Sequence, residues 1–329
     1  MSLRDRLPTS HPLRRSFRRL QAAYRFSRTS ARHGRPAAAI YFPTGGIGDD
    51  LLATSLIAPL HHATGGPVWA LSTHPEIFAG LPGLGAVVPP TEELAARLAA
   101  DGVRVVRPVY TENLDGGSRH ASPREHILAL MARTAGLDGE FALRPTIALR
   151  TDESAAAAFA RDTIVFQSSG MSARFPMPNK EWLPDRFAAV AAALAPRHPL
   201  IQIGSPSDPL LPGVRDLRGQ TTPRQLAAIL SVARLFVGLV GFPMHLARAV
   251  DCPAVIVYGG REAPWQSGYT ANFNVQRTPA CAPCWLVDRC DYDRVCMREI
   301  AAAEVVDAIT AMLARPRGPL PIDTVRLAP

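Results

Sequence analysis

The 329-residue sequence is poor in cysteine, with five residues, four of them between positions 281 and 296. That is too few for a disulfide scaffold of this length and fits a reducing compartment with one local metal or redox feature. Charge is also sparse, at 19% against 47% apolar residues, which excludes a disordered chain. No apolar run reaches the roughly 18 residues of a membrane span. No apolar core follows the N-terminal arginines, so no secretory signal is expected either. Acids are nearly missing from one segment. Residues 1–36 hold ten arginines and one acid, Asp5, a charge of +9 in a chain whose total is +8. The remainder is therefore −1, and the basicity belongs to an arm, not to the body.

Within that arm Leu13, Phe17, Leu20 and Tyr24 recur at helical spacing among the arginines. The sharper reading is a short basic helix on an anionic membrane surface, which places the chain in the cytoplasm, peripheral on the inner face of the membrane. The bland reading is a solvated tail. A nucleic-acid arm is a third and weaker reading, because the body carries no basic patch of its own.

After the arm, short apolar runs alternate with amphipathic stretches. Strands are expected at 39–42, 68–71 and 104–109, and helices at 50–62, 92–100 and 123–135. Residues 136–152 break the alternation and read as a link. It then restarts with strands at 163–167, 200–204, 235–238 and 254–258. Helices are expected at 184–194, 222–232, 243–250 and 300–313. The helix at 222 opens on a Thr cap followed by Pro. This is an α/β pattern of two Rossmann-like halves, with ligands expected beyond the carboxyl ends of the strands. The expected domains are the arm at 1–36, one Rossmann-like half at 37–150, a second with the cysteines at 151–315, and an irregular Pro-rich tail at 316–329.

The turn "TGGIGDD" lacks what the common nucleotide loops need. No third glycine follows Gly46 and Gly48 at the dinucleotide spacing, and there is no Gly-Lys-Ser/Thr. What remains is a glycine turn that sets Asp49 and Asp50 at a helix start, where the dipole favours an ionised carboxylate. Asp49 reads either as a helix cap or as a general base. Later loops offer Ser168 and Ser169 after one strand, Lys180 before a helix, and the glycine turn and Pro243 ahead of a helix bearing His245. Such groups suit a diphosphate. Each also has a bland reading as a turn serine, a surface lysine or a packed histidine.

The order of "GGIGDDLLATSLIAPL", "NKEWLPDRFAAVAAAL", "IQIGSPSD", "DLRGQTTPRQLAAILSVARLFVG", "PMHLARAVDCPAVIVYGG" and "CAPCWLVDRCDYDRVCM" resembles glycosyltransferase family 9, the ADP-heptose:lipopolysaccharide heptosyltransferases of the GT-B fold. The resemblance implies two Rossmann-like domains facing across a cleft. It implies Asp49 as the base that deprotonates an acceptor hydroxyl. Lys180, Ser168, Ser169, Asp208, Pro243, Met244 and His245 would hold the donor. Arg119, His120 and Arg124 would meet an acidic glycan or lipid-linked acceptor. The donor would be a nucleoside-diphosphate sugar, ADP-heptose in this family. Lysine and helix N–H groups would neutralise the leaving group, so transfer would need no cofactor. One departure stands out. Val240 occupies the place of an acid that touches donor-sugar hydroxyls, and Phe242 that of a glycine on the phosphate path. A non-catalytic or altered-donor binding or scaffold protein is therefore the second reading.

Cys281, Cys284, Cys290 and Cys296 follow the pattern C-x2-C-x5-C-x5-C. Four thiolates within sixteen residues can close around a structural zinc or iron; the alternative is disulfides or free packed thiols. Cys252 reads as a core residue.

Overall fold

The computed structural model describes residues 12–43, 45–316 and 318–328. The chain opens on α1 (Pro12–His33), β1 (Ala38–Tyr41), α2 (Ile47–Ala53), α3 (Ile57–Thr64), β2 (Val68–Leu71) and α4 (Pro75–Phe78). It continues through β3 (Leu84–Val88), α5 (Glu92–Ala100), β4 (Arg104–Val106), α6 (Ile127–Thr134) and β5 (Gly139–Ala142). The first four strands form a parallel sheet in the order β3-β2-β1-β4. Their inner members, Ala-Ala-Ile-Tyr and Val-Trp-Ala-Leu, are buried throughout, as strands covered on both faces must be.

A second run follows: α7 (Thr151–Ala156), β6 (Ile164–Gln167), α8 (Pro184–Leu194), β7 (Leu200–Ile203), β8 (Val214–Asp216), α9 (Pro223–Val232) and β9 (Leu235–Leu239). Then come α10 (Phe242–Ala249), β10 (Ala254–Gly259), α11 (Pro264–Ser267), β11 (Phe273–Gln276), α12 (Val295–Arg298), α13 (Ala302–Leu313) and β12 (Thr324–Leu327). Strands β6 to β11 make a parallel sheet ordered β11-β10-β9-β6-β7-β8. Helix α9 starts as the sequence predicts. Thr222 Oγ1 accepts from Gln225 N at 3.2 Å, and Gln225 returns a carbonyl to Thr222 N at 2.9 Å.

The fold is GT-B, two Rossmann-like halves. In each sheet the strand order reverses once, between β1 and β4 and between β6 and β9. The diverging connections leave a crevice there, at the carboxyl ends of the strands. Both crevices open onto one space. An apolar core joins the halves across it, with Leu52 of α2 and Leu128 of α6 in one cluster with Leu226 of α9 and Met244 of α10.

Two expectations are corrected. Residues 1–11 of the arm lie outside the described residues, but 12–33 are a docked helix and not a solvated tail. Ala22 and Phe26 are buried against the first half, Phe26 edge-on to Trp69 at 6.0 Å, and Arg18 lies 3.6 Å from Glu93 of α5. Leu20 and Tyr24, 69% and 64% exposed, face solvent. Within the tail, β12 pairs antiparallel with β5, which itself lies in the segment read as a link. Val325 and Leu327 alternate with polar neighbours at the period of a strand, and that pairing buries Leu327. Among the described residues no helix is long and apolar enough to cross a membrane.

Candidate active site

Asp49 is positioned by the glycine turn after β1. A Cβ at Gly45 would sit 2.6 Å from Phe42 Cδ1 and 3.0 Å from Asp49 Cβ, so this position tolerates no side chain. Gly46 caps α2 and donates its N–H to Asp49 Oδ2 at 2.8 Å. Tyr110, just beyond β4 on the far side of the strand-order reversal, donates its hydroxyl to Asp49 Oδ1 at 2.7 Å. Burial pushes the Asp49 carboxyl above its usual range, against the pull of Tyr110, the Gly46 N–H and Lys180. Desolvation thus works against the seven-residue helix start that favours the charged form. Asp50 points elsewhere. It accepts from Ser72 Oγ and His74 Nδ1, both at 2.6 Å, and ties the turn after β2 to α2.

Across the crevice Lys180 Nζ lies 2.6 Å from Glu262 Oε1. Arg261 pairs with the same carboxylate, and Ser267 Oγ donates to Glu262 Oε2 at 2.6 Å. Burial alone would raise the Glu262 carboxyl, but Lys180 and Arg261 hold it down at about 2. Burial also lowers Lys180, and Glu262 opposes that shift. Arg261 is itself sealed, stacked over Trp285 at 4.8 Å, with Nη2 donating to His120 Nδ1 at 3.2 Å. The cluster is two cations sharing one carboxylate, so a net positive charge faces Asp49.

Helix α10 closes the third side. Its first residue, Phe242, lies against Gly48 of α2 and bridges the halves; a Cβ on Gly48 would come within 3.8 Å of Phe242 Cβ. Val240 is a buried apolar wall. His245 Nδ1 lies 2.7 Å from the Tyr269 hydroxyl, and burial together with Lys180 lowers the ring to about 3, so it is neutral. Asp208 accepts from Ser205 N at 2.8 Å, and burial raises its carboxyl.

These groups line one cavity of about 480 Å³. It brings together Asp49, His120, Ser169, Lys180, Asp208 and His245 from the sequence-derived set, with Pro243 on its rim. Ser168 and Met244 sit behind the wall. Ser168 accepts from Gln202 at 3.2 Å, and Met244 receives the Tyr258 hydroxyl at 3.6 Å. Arg119 and Arg124 are exposed and off the cavity. Arg119 pairs its backbone with Leu286, which knits the loop before α6 to the cysteine-rich loop.

The family model described as glycosyltransferase family 9 (heptosyltransferase) matches residues 125–286, from the approach to α6 through the whole second sheet. Residues 125–286 are a glycosyltransferase family 9 domain. A search of the curated proteins gives no match. Among solved structures the chain is similar to the ADP-heptose lps heptosyltransferase II of E. coli. Identity there is 15% and TM-score 0.61, covering 84% of this chain and 98% of that one. It is also similar to TibC of enterotoxigenic E. coli, a bacterial iron-containing dodecameric glycosyltransferase. That match has 18% identity, covers 84% and 76% of the two chains, and has a TM-score of 0.63. A second TibC structure is in complex with ADP-D-beta-D-heptose, at 17% identity, TM-score 0.63, with 84% and 76% covered. E. coli WaaC with ADP matches at 14% identity and TM-score 0.53, with 84% and 99% covered. At such identities the likeness establishes the fold.

The expected metal centre is not supported. Among the described residues no three His, Cys, Asp or Glu side chains converge to hold a metal ion, and Cys281, Cys284, Cys290 and Cys296 are free. The four thiols are electrostatic neighbours of one another. Cys281 is exposed, Cys290 Sγ accepts from Arg294 N at 3.3 Å, and a Cβ on Gly260 would come within 3.2 Å of Cys296 Sγ.

The sequence reading missed Tyr110, Arg261, Glu262 and Tyr269. The adjacent opposite charges in "GGREAPW" directly after β10 were a usable signal, since a charged pair at a strand's carboxyl end lies where ligands bind. Tyr110 offered none, being an aromatic in a loop.

Proposed function

We propose that this protein is an inverting glycosyltransferase. It moves a sugar, heptose, from a nucleoside-diphosphate donor, ADP-heptose, to a hydroxyl of a lipopolysaccharide-core or other glycan or protein acceptor. The carrying observation is the opposition of Asp49 to the Lys180–Glu262–Arg261 cluster across one cavity. Asp49 takes the acceptor's hydroxyl proton, and that oxygen attacks the anomeric carbon. The bond to the diphosphate breaks on the opposite face, and Lys180 and Arg261 neutralise the departing charge. The half at 37–150 serves the acceptor through His120, with Arg119 and Arg124 at the outer edge. The half at 151–315 serves the donor through Ser169, Lys180, Asp208, Pro243 and His245, with Ser168 and Met244 supporting the wall. The adenine nucleotides held by the TibC and WaaC structures support the choice of donor by fold analogy.

The acceptor meets the enzyme at the membrane. The outward face of α1 combines Phe17, Leu20 and Tyr24 with Arg25, Arg28 and Arg32, an arrangement suited to anionic lipid on the inner face.

The test is paired. ADP binding by calorimetry and heptose transfer from ADP-heptose are measured on the wild type and on Asp49→Asn. Binding by both with turnover only in the wild type is the expected result. Equal turnover removes Asp49 as base. Val240 favours a second reading, because its apolar side chain offers no hydrogen bond to a sugar hydroxyl. Binding of ADP with no transfer from ADP-heptose supports an altered donor; binding of no nucleoside diphosphate supports a scaffold.

A further inference from the structure

His245 is only 6% exposed, and its two ring nitrogens have different surroundings. Nδ1 lies 2.7 Å from the Tyr269 hydroxyl. Nε2 has no hydrogen-bond partner among the described residues. It is not sealed either, since the ring forms part of the cavity wall beside Lys180 and Glu262.

Tyr269 decides which nitrogen carries the proton. Its ring is buried, and the hydroxyl has no second hydrogen-bond partner among the described residues. If the phenol accepted from Nδ1–H, its own proton would be buried without an acceptor, which is costly. If it donates to Nδ1, its proton is satisfied and the single proton of the neutral imidazole sits on Nε2.

Tyr269 is in turn held in place. His126, the cap of α6, receives Leu128 N on Nδ1 at 3.2 Å, so its own proton is on Nε2. That Nε2–H donates to the Gly268 carbonyl at 2.8 Å and pins the residue before Tyr269. The His126 ring also packs on Tyr269 at 5.9 Å, and the His245 ring meets it edge-on at 5.8 Å.

We infer that Tyr269 is a positioning residue: its hydroxyl fixes the Nε2–H tautomer of His245 and presents a neutral N–H donor to an oxygen of the diphosphate in the cavity. The inference rests on the nucleoside-diphosphate reading above. Neutrality has a physical use here. Lys180 and Arg261 already crowd the cavity with positive charge, and a third cation would repel both, whereas a neutral donor adds a hydrogen bond without that repulsion. The donor also lies in the first turn of α10, where the helix end favours an anion.

The experiment uses the full chain with ¹⁵N-labelled histidine and ADP as the probe. Long-range ¹⁵N–¹H correlation spectra of the wild type should report His245 as the Nε2–H tautomer, and Tyr269→Phe should give a mixture of both. By calorimetry, His245→Ala should weaken ADP roughly 10- to 100-fold, the loss of one hydrogen bond to a charged group. Tyr269→Phe should weaken it by about twofold, since two equally populated tautomers leave half of the rings competent. His245→Gln keeps an N–H near the Nε2 position and has no tautomers. It should retain ADP better than alanine does, and adding Tyr269→Phe to it should cost nothing further. An Nδ1–H tautomer in the wild type overturns the inference. So does an equal cost of Tyr269→Phe in the His245→Gln background, which would make Tyr269 merely structural. If the wild type binds no ADP, the nucleoside-diphosphate reading fails and takes the diphosphate half of the inference with it, while the spectra still decide the tautomer.

Discussion

Tyr110 and Asp49 meet at 2.7 Å across a reversal in strand order, one from beyond β4 and the other from the first turn of α2. The phenol donates into a carboxylate that burial would otherwise drive further towards protonation. Two residues 61 positions apart thus form one hydrogen-bonded unit.

Tyr110→Phe removes a hydrogen bond that favours the charged form of Asp49, so the carboxyl should titrate higher still. A base works only when deprotonated, so the acidic limb of the kcat/KM profile should move to higher pH. The rate at high pH should change much less than the rate at low pH. A uniform loss at every pH would mean that Tyr110 acts on something other than the Asp49 proton.

Asp49 carries a stability cost with a definite sign. Its folded-state pKa is raised, so its neutral form is favoured by folding and stability is lost as pH rises through the raised value. Asp49→Asn should therefore raise Tm at neutral pH while lowering turnover by about 10²-fold or more. The Tm gain should fade below the ordinary aspartate range, where the wild-type carboxyl is protonated in both states. A fall in Tm at neutral pH would contradict the assigned direction.

Glu262→Gln leaves Lys180 and Arg261 buried without their shared counterion. Breaking such a pair from one side costs about 3–5 kcal/mol, measurable by urea denaturation. ADP should restore more stability to this variant than to the wild type, because the diphosphate replaces the missing negative charge. Equal Tm gains in the two proteins would argue that the anion does not sit at this cluster.

The two faces of α1 should separate by mutation. Phe26→Ala removes a buried anchor and should destabilise by about 3 kcal/mol. Leu20→Asp with Tyr24→Asp should leave stability nearly unchanged, since both side chains are exposed, yet abolish flotation with vesicles containing anionic lipid. Flotation that survives the double change, or that is equal with neutral vesicles, would remove this face from membrane binding.

Thiol reactivity should follow burial. Cys281 is exposed and should alkylate first. Cys252, pushed up to about 12 by burial, should stay unmodified until the protein unfolds. Site-resolved mass spectrometry after brief iodoacetamide treatment checks both; early modification of Cys252 would show that the core opens.

Much of this was legible in advance because it depends on local chemistry. Alternating apolar runs and amphipathic stretches specify buried parallel strands and covering helices, and Thr222, Pro223 and Gln225 specify a helix start wherever the helix packs. The glycine turn before Asp49 is similarly local, since only a residue without a side chain fits beside Phe42. By contrast, α1 has an apolar residue on more than one face. Helical spacing picked out Phe17, Leu20 and Tyr24, but Phe26 found the matching surface at Trp69. The thiol spacing suggested a closed ligand set; among the described residues no three metal-ligating side chains converge, and the same loop pairs its backbone at Trp285 and Val287 with residues 118–120.

The sequence by itself determined the two α/β halves, the presentation of Asp49 at a helix start and the identity of Lys180 and His245 as polar groups at carboxyl ends of strands. Only the tertiary structure decided what each of them faces. Tyr110 reaches Asp49, Glu262 reaches Lys180 and Tyr269 reaches His245 because reversals in strand order and the docking of one half on the other bring distant loops into one cavity. Burial there shifts proton affinities by desolvation, which depends on the surrounding volume and not on neighbours along the chain.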